Sequence, residues 1–253
     1  MTRVIGIVSG KGGVGKTTVS SNLAVSLVKN GKKVLLVDFN PTTPHLNFHF
    51  GIYNYVFTIN DLISGKSSFE SAIFNHSSGV DVIPGSLSTI SNNNDNLKNL
   101  KSVLGGIEQY DFVLLDAAPG FGREGIATLS ICDEVLIVMN PTQPCVFDVL
   151  RLREVLAQNN ANIVGIVMNM VRRQHSLKVA DIEKLTGIPV SISIHFDGNI
   201  IRSLSKNLPI NLYKPKSKTS RKFDELALIL EGEKVKKGVG ERLRSLVEIM
   251  LIS

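Results

Sequence analysis

Eight residues near the N-terminus, Gly10-Lys11-Gly12-Gly13-Val14-Gly15-Lys16-Thr17, constrain this chain more than any other feature. They follow a short apolar, β-branched run, Val4 to Val8, and open a stretch with helical spacing, Thr17 to Lys29. A strand entering a G-x-x-x-x-G-K-T loop and a helix leaving it make a phosphate cradle. Glycines let the loop wrap until its backbone N–H groups point inward, and the helix adds its positive N-terminal end. In that frame residues Gly10 to Thr18 hold a nucleoside triphosphate, Lys16 neutralises its β and γ phosphates, and the Thr17 hydroxyl ligates Mg²⁺.

The rest of the chain has the periodicity such a loop requires. Short apolar runs recur at Lys33 to Asp38, Val80 to Ile83, Phe112 to Asp116, Glu134 to Met139, Ile163 to Met168 and Val190 to Ile194, and these read as buried strands. Helical spacing appears at Asn96 to Gln109, Phe147 to Gln158, Leu177 to Thr186 and Phe223 to Leu230. The alternation predicts an α/β protein with a doubly wound, mostly parallel sheet flanked by helices. At 253 residues and 43% hydrophobic content the chain has the mass for one such domain. Pro41 to Asn60, aromatic-rich, and Ser91 to Asn96 read as irregular surface insertions. His45 and His49 have helix-like spacing, but Pro41 and Pro44 argue against a regular helix there, and against a metal site.

Two apolar strands end in carboxylates. Phe112 to Asp116 is a Walker B candidate whose aspartate holds a Mg²⁺-bound water, and Val34 to Asp38 is the second such strand. Only Cys132 and Cys145 are present, which fits a reducing compartment and small core residues. Met1-Thr2-Arg3 leads straight into a short apolar segment unlike a signal sequence, and no apolar run approaches the roughly 20 residues of a membrane span. The expected location is cytoplasmic, peripheral on the inner face of the cell membrane. A net charge of +6 suits contact with something anionic without saying what.

The second lysine, Lys11, in Lys11-Gly12-Gly13-Val14-Gly15-Lys16-Thr17-Thr18 resembles the signature of the deviant Walker A ATPases, the family of MinD, ParA, the tail-anchored-protein targeting ATPase and the nitrogenase iron protein. The resemblance runs through about residue 230, so 1–230 is read as the ATPase domain. It implies ATP and Mg²⁺ as cofactors, a homodimer formed with ATP, and a Lys11 that reaches the partner's phosphates. It implies that Ala117-Ala118-Pro119-Gly120 after Asp116 acts as a switch, and that Asp38 sits by the metal. In MinD-like relatives a second carboxylate two residues on positions the attacking water. This chain has Asn40 there, and His45-Leu46 where the family has Asn-Leu. An amide still orients a water, as a glutamine does in GTPases, so the resemblance with this departure implies slow ATP hydrolysis, with a nucleotide-dependent adaptor of little hydrolysis as the alternative. Asn169, after the strand Ile163 to Met168, matches the place where the family recognises adenine, with Asp197 to Ile200 as a second wall. A cap or turn role for Asn169 is the alternative.

Residues 231–240 read as a basic linker and 241–253 as a C-terminal amphipathic helix, with Leu243, Leu246, Val247, Met250 and Leu251 on one face. That element resembles the membrane-targeting helix of MinD, which implies an anionic membrane surface as partner. A terminal helix packed on the domain remains the alternative. An unidentified protein partner at the switch surface completes the MinD-like expectation of cell-division site placement. Lys214, Lys216, Lys218, Arg221 and Lys222 keep a DNA-binding, ParA-like reading in play. Metal-cluster carriers of the family usually have Cys-x-x-C pairs, which this chain lacks.

Overall fold

The computed structural model describes residues 1–40, 44–86, 104–120, 122–157, 161–172 and 177–233. Within them runs one eight-stranded sheet: β1 (Arg3–Val8), β2 (Val34–Phe39), β3 (Phe74–Asn75), β4 (Asp81–Ile83), β5 (Phe112–Ala117), β6 (Glu134–Met139), β7 (Asn162–Val171) and β8 (Val190–His195). Their order is β3-β4-β2-β5-β1-β6-β7-β8, and only the β3–β4 pairing is antiparallel. Every residue of β2 and β5 is buried, as continuous apolar strands covered on both faces should be.

The helices are α1 (Lys16–Lys29), α2 (Leu46–Phe50), α3 (Ile59–Ile63), α4 (Phe69–Ala72), α5 (Arg123–Ile131), α6 (Gln143–Ala157), α7 (Val179–Thr186), α8 (Gly198–Leu204), α9 (Ile210–Tyr213) and α10 (Lys218–Leu230). From β1 the chain crosses through α1 over β5 to reach β2; from β5 it crosses through α5 over β1, in the other direction, to reach β6. Right-handed crossovers running in opposite directions put their helices on opposite faces. The sheet therefore reverses winding around β1, and the crevice at its carboxyl end is the place where such folds bind ligands.

All seven strand expectations hold to within one residue at their ends, except that β7 runs on to Val171. Four differences are informative. Helix α2 does form, after Pro44 rather than through it, so proline sets its start instead of preventing it. Helices α6 and α10 begin four and five residues before their apolar faces, at Gln143 and Lys218, and the Ser217 hydroxyl caps α10 by accepting from Ser220 N–H. Of the expected helix Asn96 to Gln109, residues 104–109 form a turn and a 3₁₀ segment, Ile107–Gln109; its left-handed start at Gly106 breaks the α-helical path. Residues 96–103, the polar loop 91–96, most of the basic linker and the whole segment 241–253 lie outside the described residues.

Helix α1 is buried on nearly every side, between the sheet and α10, and it carries polar residues into that contact. Asn22 donates through Nδ2 to the Thr18 carbonyl at 2.8 Å and accepts from the Asn211 N–H at 3.0 Å. Ser26 Oγ donates to Asp224 at 2.7 Å, and Asn211 Nδ2 reaches both. Replacing one member strands its partners in a dry contact, which costs about 1 to 3 kcal/mol. Asn22→Ala is expected to lose stability in that range by urea denaturation, against a surface substitution such as Lys184→Ala within about 0.5 kcal/mol.

Candidate functional site

The loop between β1 and α1 is shaped for an anion. Gly15 takes a left-handed conformation (φ 91°) at the N-cap of α1, and neither a side-chain cap nor an acidic residue occupies the helix's first turn. Its first N–H groups are thus left for a ligand. The loop is clamped from behind: Val14 is buried, and its carbonyl accepts from Asn169 Nδ2 at 2.8 Å. A side chain at Gly10 would collide with Cβ of Asp148 on α6, and one at Gly15 with the Asn169 amide. Ser9 Oγ donates to the Lys11 carbonyl at 2.7 Å, and Gly120 N–H donates to the Ser9 carbonyl at 3.0 Å, tying the loop to the turn after β5.

The parallel register puts Asp38 and Asp116 opposite one another on β2 and β5. Both are buried, at 0% and 2% exposure. Burial raises the Asp38 carboxyl, with the Asp116 charge adding to it, to about 8, against N–H donors from Leu46, Asn40 and His45 that hold it down. Burial raises Asp116 as well, opposed by the Thr17 hydroxyl and the Lys16 charge. Lys16 is itself nearly buried, so its ammonium is lowered by desolvation and propped up by Asp116 and Asp38.

Thr17 Oγ1 donates to Asp116 Oδ2 at 2.6 Å, leaving the hydroxyl's lone pairs for a cation, while the buried Asp116 Oδ1 has no hydrogen-bond partner. An orphaned carboxylate oxygen beside a threonine hydroxyl is a donor set that fits a hydrated Mg²⁺. Among the described residues no group of three or more His, Cys, Asp or Glu could hold a metal by itself. A cation here would therefore need phosphate oxygens as well.

These groups open into a cleft of about 420 Å³ lined by Gly12, Gly13, Gly15, Lys16, Thr17, Thr18, Asn40, His45, Phe48, His49, Pro119 and Leu204. Lys16, Thr17, Thr18 and Asn40 thus meet at one place, with Asp38 and Asp116 behind them. Lys11 lies exposed beside Gly12 at the loop's outer edge. Asn169 is 2% exposed and spends its amide donor on the loop, which gives it a structural task that its adenine assignment did not include. His49 is a buried core residue, hydrogen-bonded to Ser21 at 3.1 Å and lowered by burial to about 4. Sequence reasoning missed the clamp formed by Asn169, Asn140, whose amide donates to the Asn169 carbonyl at 3.2 Å, and Asp148. Only Gly10 and Gly15 hinted that something packs close behind the loop.

This arrangement of loop, helix end and two strand-end carboxylates defines a P-loop nucleotide-binding protein. A family model described as an AAA domain matches residues 2–166. The chain is 33% identical to an uncharacterised ATP-binding protein of Methanocaldococcus jannaschii, over 90% of this chain and 88% of that one. It superposes with a TM-score of 0.85, at 31% identity, on the septum site-determining protein MinD of Pyrococcus horikoshii complexed with Mg-ADP, covering 91% and 96% of the two chains. It is also similar to the MinC:MinD cell division protein complex of Aquifex aeolicus (TM-score 0.83, 27% identity, 93% and 98% covered). The chain belongs to the MinD/ParA family of ATPases, on its MinD side, and MinD-like ATPases use ATP and Mg²⁺.

The carboxylate pair has a pH signature. Between the ordinary 3.8 of an unfolded aspartate and about 8, folded Asp38 keeps a proton that the unfolded chain has lost. Unfolding then releases a proton, so stability is greatest below about pH 4 on this account and falls as pH rises towards 8. Nucleotide-free protein is expected to show a urea midpoint that declines from about pH 5 to about pH 8. Asp38→Asn should flatten that slope and raise the midpoint at the alkaline end; an unchanged slope would assign it to another group.

Proposed function

We propose that this chain is a Mg·ATP hydrolase that dimerises across the nucleotide and cycles on and off a membrane to position a protein partner, as in cell-division site placement. The observation that carries the reading is Lys11, exposed at the lip of a cleft whose buried lysine is already matched to buried carboxylates. A triphosphate in that cleft brings more negative charge than Lys16 and the α1 N-terminus offset. A second copy's Lys11 supplies the remainder, in the manner of an arginine finger.

Thr17, Asp38 and Asp116 would hold Mg²⁺, which supplies charge neutralisation at the β and γ phosphates. Lys16 and the loop N–H groups orient the triphosphate in line with the attacking water. That water attacks the γ-phosphorus, the bond to the β–γ bridging oxygen breaks, the water's proton passes to a γ-phosphate oxygen, and ADP and inorganic phosphate leave. Asn40 lines the same cleft and orients the water through its amide, without taking its proton. Slow turnover follows. Asn40→Asp is expected to raise kcat by about tenfold, and a rate unchanged or lowered in a phosphate-release assay counts against this role.

The adenine contact remains Asn169 in this reading, which asks its amide to serve the base as well as the Val14 carbonyl, with Asp197 to Ile200 as the further wall. The membrane contact is residues 241–253, following the linker 231–240, and it rests on their apolar face. Among the described residues no helix is long and apolar enough to cross a membrane. One such tail holds weakly, whereas two on a dimer gain effective concentration, so the nucleotide controls attachment.

A DNA-binding reading draws on the exposed Lys214, Lys216, Lys218 and Arg221 around the start of α10. Cosedimentation separates the two. Liposome binding with ATP, absent with ADP and lost on removing 241–253, is the expected result; salt-sensitive retention by DNA with ATP instead would replace the membrane reading.

A further inference from the structure

Residues 39–60 contain no Asp, Glu, Lys or Arg in a chain that is 20% charged. The same stretch holds six of the chain's 11 Phe and 4 Tyr. Phe39 and Phe50 enter the core, but Phe48 on α2 and Tyr53 just beyond it are 38% and 57% exposed. Their rings meet edge to face with centroids 6.2 Å apart, and the His45 ring lies 6.4 Å from Phe48. His45 and Phe48 also line the nucleotide cleft. A linked set of exposed rings on the lip of a cleft is unlike the scattered single hydrophobics of an ordinary surface.

We infer that this uncharged aromatic lip, with Phe48 and Tyr53 at its centre, is the apolar seat on which a second copy of the chain rests. The inference rests on the dimer proposed above and adds to it the surface that carries the affinity.

Three arguments select the second copy as occupant. If each Lys11 enters the other copy's cleft, two-fold symmetry turns the two cleft mouths towards each other, and whatever rims the mouth is covered. Each copy carries +6, so two copies approach best where the rim brings no further cations together, and residues 44–60 supply such a rim. Rigid aromatic rings with little conformational entropy to lose are what the centre of an interface uses. The lip is also wired to the site: the Leu46 N–H that begins α2 donates to Asp38 Oδ2 at 3.0 Å, and the Asn40 N–H donates to Oδ1 at 3.2 Å. A change in what Asp38 binds therefore moves the backbone that carries Phe48.

The test uses full-length protein with Mg²⁺ and a non-hydrolysable ATP analogue. Sedimentation equilibrium gives the dimer constant and a fluorescent nucleotide gives the site affinity, for wild type, Lys11→Ala, Phe48→Ser/Tyr53→Ser, Tyr53→Ser alone and the distant exposed Leu185→Ser. The expected result is a dimer weakened at least about 30-fold in the double variant, as loss of an anchor of about 2 kcal/mol implies. Tyr53→Ser gives a smaller loss and Leu185→Ser none, and the affinity for Mg·ADP, measured on the monomer, stays within about twofold for these two. Tyr53→Ser, on the more exposed ring, decides the matter if the double variant melts early.

A double variant that dimerises like wild type while Lys11→Ala does not would overturn the inference and leave the dimer standing, with the lip belonging to another protein. Loss of Mg·ADP affinity by monomeric Tyr53→Ser would also overturn it, by assigning that ring to the nucleotide site. Wild type that stays monomeric would remove the proposed dimer and this inference together.

Discussion

Two aspartates face each other across neighbouring strands, almost wholly buried, and much of the site can be understood as the management of that repulsion. Adjacent strands lie about 4.8 Å apart, so two ionised carboxylates in register repel by roughly 3 kcal/mol at an effective dielectric near 20. The parallel pairing of β2 with β5 makes the juxtaposition unavoidable, since Asp38 and Asp116 end their apolar runs at the same level. Lys16, the Thr17 hydroxyl and the N–H groups of Asn40 and Leu46 relieve part of it. The unpartnered Asp116 Oδ1 marks what they leave undone. A divalent cation would complete the balance, and a triphosphate accompanying it would then need further positive charge.

The loop can hold its N–H groups inward only because it is braced from outside. Asn169 at the end of β7, Asp148 on α6 and the turn at Gly120 approach it from separate parts of the chain. Behind it, side chains of α1 tie the loop's helix into the protein. The Thr18 carbonyl is bonded to Asn22, Asn22 to Asn211, and Asn211 to Ser26 and Asp224 on α10. The loop and the helix that leads towards the C-terminal residues thus share one buried polar contact, so displacement at one end is felt as strain on hydrogen bonds at the other.

The strands, their order of burial and the nucleotide loop were legible because each rests on local pattern: apolar continuity for β1, β2, β5 and β6, glycine spacing for the loop. What was not legible depends on pairs distant in sequence. Nothing local to Asn169 says that its amide will meet Val14, 155 residues away. The short helix α2 hid because five residues are too few to display periodicity, and the prolines before it suggested a break where they in fact set a start. The two-residue strand β3 is fixed by its partner β4 and not by its own residues. His45 and His49 looked like one feature from their spacing, and both reach the cleft, but their environments differ, with His49 buried against Ser21 and His45 exposed.

In the proposed function the amide at position 40 has two opposite effects. With Asn40 in place of a carboxylate, the cleft keeps one fewer negative charge beside the γ-phosphate position. Hydrolysis loses a proton acceptor, but binding gains, because a triphosphate entering the cleft meets less repulsion. The same change favours a long-lived nucleotide complex over rapid turnover. An apolar, uncharged lip fits that regime: hydrophobic contact does not weaken with salt as ion pairing does, so it prolongs an association that the charges of Lys11 and the nucleotide first select. On this view the electrostatics decide when two copies meet, the rings decide how long they stay, and the amide at position 40 leaves the time between the two to be set by whatever partner next touches the cleft.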